Sequence, residues 1–166
     1  MLIVLSGPSS SGKTSLARAL QWLASKPFLH IEADRFWPVM PLDHPLARDG
    51  DFQALVVLGV HKAIVALCEP GLDLIADGSL PNDPVLRNEA LNILRSAPDT
   101  RVVAVTSAID VLRDRERSRT ERRVSGWAEQ QLTFVFDGVD FDAVIYTSGR
   151  TPEQCARELL VALGLG

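Results

Sequence analysis

The stretch GPSSSGKT, residues 7–14, directly follows the apolar run LIVL and one serine, Ser6. It matches the pattern G-x-x-x-x-G-K-[ST], in which a glycine-rich loop joins a buried strand to the start of a helix. A serine-rich capped turn is the alternative interpretation, but such a turn needs neither the second glycine nor the lysine. Because an apolar strand precedes the stretch and an amphipathic helix follows it, we interpret it as a phosphate-binding loop.

Each residue type in this loop has a physical role in holding a triphosphate. Gly7 and Gly12 let backbone N–H groups approach phosphate oxygens closely, and the positive end of the following helix faces the same anion. Lys13 is placed to reach the β- and γ-phosphates, and the Thr14 hydroxyl to bind Mg²⁺. The sequence therefore predicts ATP and Mg²⁺ as cofactors. The remaining predicted nucleotide-binding residues are Ser9, Ser10, Ser11 and Ser15.

Apolar runs alternate with segments of helical periodicity along the whole chain. Alternating strands and helices are typical of a parallel sheet covered by helices on both faces. We therefore expect one α/β domain over residues 1–166, built as a three-layer α/β/α sandwich. The predicted strands are 2–5, 28–33, 72–77, 101–107 and 143–146. The predicted helices are 13–25, 52–68, 85–95, 111–123 and 152–163.

Composition and charge exclude several classes of function. The net charge is −4 and the pI about 5.3, which disfavours a general nucleic-acid binder. No apolar run approaches the roughly 18 residues of a membrane helix, and no signal-peptide pattern is present. We therefore expect a cytoplasmic protein with no membrane and no nucleic-acid partner, and the sequence leaves its oligomeric state open. Cys68 and Cys155 lack metal or disulfide spacing, and we expect both to be buried apolar residues.

Acidic residues follow two predicted strands at the sheet edge where ligands bind. Asp77 ends the strand LDLIAD and suits a magnesium-holding role, the alternative being a cap for the next turn. Asp34 follows HIEA, where a carboxylate can orient an acceptor hydroxyl and take its proton during attack on the γ-phosphorus. The alternative for Asp34 is an N-cap of a short helix starting at Arg35. Glu32 lies two residues before Asp34, on the same strand face. A structural role is favoured for it, and the alternative is an acid on the metal side.

The segment RDRERSRTERR, residues 113–123, contains six arginines. A solvated, salt-bridged helix is the alternative interpretation, but charge that spreads over a transferring phosphoryl group needs cations, and arginine supplies them in planar forks. We therefore predict a closing lid over approximately residues 113–131, with Arg117 on its outer face. The arginines that share the other helix face, and that we assign to the nucleotide or to catalysis, are Arg115, Arg119 and either Arg122 or Arg123.

The residues that would hold the phosphate acceptor are less clearly marked. His30, His44 and His61 share no motif spacing and are interpreted as structural or surface residues, with His44 alone a candidate substrate contact. An apolar group follows Asp34 closely and predicts a partly apolar acceptor pocket, although a core role is an equal alternative. The members of that group are Phe36, Trp37, Val39 and Met40.

These motifs together resemble the chloramphenicol phosphotransferase-like kinases, which are P-loop kinases related to shikimate and adenylylsulfate kinases. The resemblance implies ATP-dependent phosphorylation of a hydroxyl on a small antibiotic, with Asp34 as the catalytic acid–base residue, lid roles for Arg119 and for Arg122 or Arg123, and strand order 2-3-1-4-5. The motifs that carry it are GPSSSGKTSLARALQ, D-x-x-x-x-x-M-P (34–41), LIAD (74–77), RERSRTERRVSGWAEQQ (115–131) and DGVDFD (137–142).

The resemblance supports the chemistry more strongly than the acceptor. Phe136 stands where the antibiotic kinase has a histidine, and residues 36–51 match poorly beyond Met40 and Pro41. A nucleoside or nucleotide kinase is the second enzyme hypothesis, and a non-catalytic ATP-binding module is the alternative from another class. Binding alone would need neither the two aspartates nor the arginines, so a phosphotransferase acting on a small hydroxyl compound is the leading hypothesis.

Overall fold

A computed structural model describes residues 1–41, 43–118 and 126–166, without the side chains of Trp37 and Pro38. Its five strands form one sheet in the order β2-β3-β1-β4-β5, and every neighbouring pair is parallel. This confirms the predicted fold class and strand order. The strands are β1 (Leu2–Ser6), β2 (Leu29–Glu32), β3 (Leu74–Gly78), β4 (Thr100–Thr106) and β5 (Ala143–Tyr146).

Most predicted helices are present with ends shifted by a few residues. Short elements were missed because they are too brief to show a period: α5 and two 3₁₀ helices, Ala33–Val39 and Pro45–Arg48. The predicted helix 111–123 is described only as far as Ser118, and the rest of it lies outside the described residues. The helices are α1 (Lys13–Leu23), α2 (Gly50–Cys68), α3 (Pro84–Arg95), α4 (Ile109–Ser118), α5 (Trp127–Leu132) and α6 (Pro152–Ala162).

The sheet buries a separate apolar cluster on each face. Side chains alternate along β1, so that Ile3 and Leu5 pack with α1 and α6 while Leu2 and Val4 pack with α2 and α3. All four residues are buried, which is why this strand reads as a continuous apolar run. The predicted burial of both cysteines is also confirmed, and burial raises the pKa of each thiol.

The start of α1 differs from the starts of its neighbours. Asp49, Asp83 and Thr151 cap α2, α3 and α6 by accepting a hydrogen bond from a backbone N–H in the first turn. Within the described residues no side chain caps α1, which begins after Gly12. Its first N–H groups therefore stay available to a ligand at the carboxyl edge of the sheet.

Helix α2 corrects the expectation that no segment of the chain approaches the length and apolarity of a membrane helix. Its 19 residues are, by length and composition alone, long and apolar enough to cross a membrane. The buried residues of this helix are Ile64 and Cys68. The sequence pattern hid this because polar residues, including His61 and Lys62, interrupt the apolar run. A single such helix is weak evidence for a membrane span, and in this structure α2 packs against α3 and β3.

Candidate active site

The phosphate-binding loop packs so tightly against β4 that its first glycine is required. A Cβ built on Gly7 would lie 2.0 Å from the Val105 carbonyl oxygen. Gly12 has a φ of 96°, in the left-handed region that glycine adopts without a steric penalty. Lys13 is buried, and its Nζ donates to the carbonyl oxygens of Gly7 and Pro8 at 2.9 Å each. The lysine is thus folded back over the loop that a phosphate would occupy.

Unsatisfied buried polar atoms are concentrated at this edge of the sheet. Buried hydroxyls and carboxylates normally have hydrogen-bond partners, so a cluster without them indicates a site for a polar ligand. Serine oxygens and an aspartate oxygen fit a triphosphate with its Mg²⁺, since Mg²⁺ prefers oxygen ligands. Among the described residues, the buried side-chain atoms without such a partner are Ser6 Oγ, Ser10 Oγ, Ser11 Oγ, His30 Nε2 and Asp77 Oδ2.

The two residues predicted to hold Mg²⁺ both lie at this edge. Asp77 pairs in register with Leu5 on β1, one residue before the strand ends, and is 4% exposed. Its Oδ2 lies 3.3 Å from His30 Nε2 on β2, a contact that is within ion-pair range but lacks hydrogen-bond geometry. Among the described residues this Oδ2 accepts no hydrogen bond from the turn that follows, so the capping alternative finds no support in it. Thr14 is half-buried in the first turn of α1.

Asp34 lies within the 3₁₀ helix Ala33–Val39, not in the capping position ahead of a helix. It is exposed, and its Oδ1 lies 3.8 Å from the position that a Cβ on Gly78 would take. The carboxylate is therefore held over the carboxyl end of β3. Glu32, two residues earlier, forms ion pairs with Arg18 at 3.7 Å and Arg35 at 3.1 Å, in keeping with the structural role favoured for it.

Asp34 opens onto an apolar cavity of about 80 Å³. Phe36 lines it as predicted, but Val39 is 77% exposed and Met40 is buried elsewhere. Three valines of α2 supply much of the wall instead, and the sequence offered no signal that α2 would face Asp34. The side chain of Trp37 lies outside the described part of the chain. The lining residues are Ala33, Asp34, Phe36, Val56, Val57, Val60, His61, Ser79 and Pro81.

His61 contributes a polar group to this cavity. Its Nδ1 lies 2.6 Å from the Val57 carbonyl oxygen, and because a carbonyl only accepts, Nδ1 carries the proton and the Nε2 of the neutral ring is an acceptor. Burial lowers the pKa of His61 below its ordinary value, although the hydrogen bond to Val57 acts in the opposite direction. A smaller cavity of about 30 Å³ also borders His61 and extends to Ser6 and Asp77, so the apolar cavity and the P-loop edge are neighbours.

A second, larger cavity of about 330 Å³ lies on the other side of the P-loop. The Arg115 guanidinium extends from α4 across it, with Nη1 2.9 Å from Thr147 Oγ1 and 3.4 Å from the Ser10 carbonyl oxygen. Thr147 Oγ1 in turn donates to the Ser11 carbonyl oxygen at 2.8 Å. The cavity is lined by Ser10, Gly12, Ser15, Leu16, Arg115, Ser118, Thr147, Arg150, Pro152 and Cys155.

Arg115 is thus joined to the P-loop, and its role at the nucleotide stays a prediction. Thr147 and Arg150 were missed by the sequence analysis, because the short segment after β5 matches no motif. Arg117 is exposed and pairs with Asp114, as expected for the outer face.

The other lid residues are described in part. The buried Glu116 joins α4 to α5 by accepting from the backbone N–H groups of Gly126 at 2.8 Å and Ala128 at 2.9 Å. His44, the histidine singled out as a substrate contact, is exposed and caps the 3₁₀ helix Pro45–Arg48. The predicted catalytic and nucleotide-binding arginines that lie outside the described residues are Arg119, Arg122 and Arg123.

The fold and this loop together define a P-loop kinase. The chain belongs to the chloramphenicol phosphotransferase-like family: the family model described as "Chloramphenicol phosphotransferase-like protein" matches residues 1–163. It is 30% identical over 185 residues to "Putative O-phosphotransferase Rv2636" of Mycobacterium tuberculosis (strain ATCC 25618 / H37Rv), covering 95% of this chain and 80% of that one. Membership places the chain among the phosphotransferases, and P-loop kinases bind ATP.

Solved structures share the fold at lower sequence identity. An unliganded sugar kinase from Janibacter sp. HTCC2649 matches with a TM-score of 0.72 at 21% identity, covering 99% of this chain and 95% of that one. The APS kinase CysC of Mycobacterium tuberculosis, in complex with AMPPNP and APS, matches with a TM-score of 0.68 at 15% identity. The match covers 98% of this chain and 96% of that one. At such identities the likeness shows the fold alone.

Proposed function

We propose that this protein transfers the γ-phosphate of ATP to a hydroxyl of a small, partly apolar molecule held in the Asp34 cavity. The observation that carries the proposal is the position of Asp34, whose carboxylate lines an apolar cavity that borders the P-loop edge. Phosphoryl transfer needs a donor and an acceptor aligned in one line with a group that orients the attacking oxygen, and this edge offers a place for each.

On this proposal, the large cavity beside the P-loop takes the nucleotide. The N–H groups at the start of α1 bind phosphate oxygens, and Lys13 exchanges its two loop carbonyls for the phosphates. Thr14 and Asp77 would hold Mg²⁺, which neutralises charge on the phosphates when bound. Arg115 already spans the cavity and contributes a planar cation on the nucleotide side.

Asp34 acts on the acceptor. Its carboxylate accepts the hydrogen bond of the attacking hydroxyl and orients the oxygen toward the γ-phosphorus. It takes the proton as the new P–O bond forms and the bond from the γ-phosphorus to the leaving ADP oxygen breaks. Because the transition state of phosphoryl transfer is largely loose, the proton leaves late and orientation matters at least as much as basicity. Valines and Phe36 around the carboxylate favour an acceptor with an apolar body, and the Nε2 of His61 favours one that also carries a hydrogen-bond donor.

A product screen tests this proposal directly. The protein is incubated with Mg-ATP and a panel of hydroxyl-bearing compounds, including chloramphenicol, sugars and nucleosides, and new phosphate esters are detected by ³¹P NMR. We expect an ester of a partly apolar alcohol, formed by the parent and at least about 10²-fold more slowly by Asp34→Asn. Esters of sugars or nucleosides alone would contradict the acceptor class, and ATP binding with no transfer to any hydroxyl would favour a nucleotide-binding module.

A further inference from the structure

Gln131 connects the P-loop to the acceptor cavity. This side chain of α5 is 4% exposed. Its Oε1 accepts from the Ser9 backbone N–H at 2.5 Å, and its Nε2 donates to Ser79 Oγ at 3.0 Å. Ser79 Oγ then donates to the Gly7 carbonyl oxygen at 3.0 Å, which closes a ring of hydrogen bonds. Since Ser79 also lines the Asp34 cavity, the Gln131 amide contacts both the P-loop and a wall residue of the proposed acceptor cavity.

The orientation of this amide follows from chemistry. A backbone N–H only donates, so the atom that faces Ser9 is the amide oxygen. A phosphate oxygen bound by the Ser9 N–H would need the same position, and it would repel Oε1 because both atoms only accept. A half-turn about the last side-chain torsion removes the conflict. Nε2 then donates to the phosphate, and Oε1 accepts from the Ser79 hydroxyl, which can rotate to donate.

We propose that Gln131 is a γ-phosphate-binding residue, whose amide turns over to donate to the transferred phosphoryl group and so holds that group beside the acceptor cavity. The inference rests on the proposed function, because it requires a triphosphate at the P-loop. Glutamine suits this position because its amide carries both a donor and an acceptor, so it can bond Ser79 in either orientation while the other end meets Ser9 or a phosphate.

The isosteric change Gln131→Glu gives a sharp test. A carboxylate can still accept from the Ser9 N–H, and it accepts from Ser79 once that hydroxyl turns its one proton away from the Gly7 carbonyl, which still accepts from Lys13. The variant is therefore expected to fold. It cannot donate to a phosphate, and its negative charge opposes the γ-phosphate directly. The matched control is Gln130→Glu, which adds the same charge at the neighbouring, exposed position.

Isothermal titration calorimetry with Mg-AMPPNP and with Mg-ADP separates the outcomes. We expect Gln131→Glu to weaken AMPPNP binding by about tenfold or more, with less than about a twofold change for ADP, and Gln130→Glu to change neither. Equal losses for both nucleotides, or no loss for either, would overturn the role of Gln131 while leaving the proposed function intact. A parent protein that binds neither nucleotide would overturn both.

Discussion

His30 Nε2 lies 3.3 Å from Asp77 Oδ2, and both side chains are buried at the end of the sheet that carries the P-loop. The sequence analysis interpreted His30 only as a structural or surface residue, since 47 positions separate it from Asp77 and no motif links them. Parallel pairing of β2 with β3 brings the two residues together. A buried imidazole beside a carboxylate restricts how that carboxylate can turn, so His30 is placed to orient Asp77.

We therefore expect His30→Gln to raise the Mg²⁺ concentration needed for half-maximal turnover by about tenfold, in the range found when residues that orient a metal ligand are changed. Turnover at saturating Mg²⁺ should fall much less. The measurement is a Mg²⁺ titration of ATP turnover. His44→Gln, at an exposed position, is the control. An unchanged Mg²⁺ requirement would show that His30 does not orient a metal ligand.

Lys13→Ala should weaken triphosphate binding and reduce transfer by about 10²-fold or more, because it removes a buried cation from the β- and γ-phosphates. Calorimetry with Mg-AMPPNP and a turnover assay measure the two effects. The protein should remain folded, since Lys13 donates to the Gly7 and Pro8 carbonyls of its own loop. Normal affinity and normal turnover in this variant would refute the P-loop assignment.

Arg115→Ala should weaken nucleotide binding and slow turnover, because the guanidinium spans the nucleotide cavity between Thr147 and the P-loop carbonyls. We expect a loss of about 10²-fold in kcat/KM for ATP, similar to the loss of one donor in a charge-stabilising site. Steady-state kinetics in ATP measures it. Arg117→Ala, which removes an exposed arginine two residues along the same helix, should stay within about twofold of the parent. Equal losses in kcat/KM for Arg115→Ala and Arg117→Ala would contradict the assignment of Arg115 to the inner face of α4 and Arg117 to its outer face.

His61 should make stability depend on pH. Burial holds its pKa in the folded protein below the ordinary value, so the unfolded chain takes up the proton first as the pH falls. The stabilising effect of a neutral His61 is therefore complete above a pH of about 6.5 and is lost as the pH falls toward the folded-state pKa. The Tm of His61→Gln should decline less than that of the parent between pH 7.5 and pH 5.5. Equal declines in the Tm of the two proteins would show that His61 has the same pKa in the folded and the unfolded chain.

The sequence predicted those parts of the protein that depend on local order along the chain. One contiguous motif contains Gly7, Gly12 and Lys13. A strand whose residues are all buried, such as Leu2–Ser6, is recognisable as an apolar run. Asp34 and Asp77 were predicted to lie at one edge because one follows a strand and the other lies at a strand's end, and parallel strands bring their carboxyl ends to one edge.

The missed features depend on packing between distant segments. The valines of α2 reach Asp34 only because α2 lies over that end of the sheet, and Gln131 meets the P-loop only through α5, a helix too short to show a period. Thr147 likewise contacts Arg115 from 32 positions away. Contacts between segments so far apart in the chain cannot be inferred from the spacing of residue types.

The most direct test of the central claim is single-turnover phosphoryl transfer by Asp34→Asn, measured together with its affinity for Mg-AMPPNP. Asparagine keeps the shape and one acceptor oxygen but loses the charge and most of the basicity. The account predicts a folded protein that binds the nucleotide within about twofold of the parent and transfers phosphate about 10²–10⁴-fold more slowly. Rapid transfer combined with a large loss of nucleotide or Mg²⁺ affinity would contradict it, and would move Asp34 from the acceptor side to the metal side.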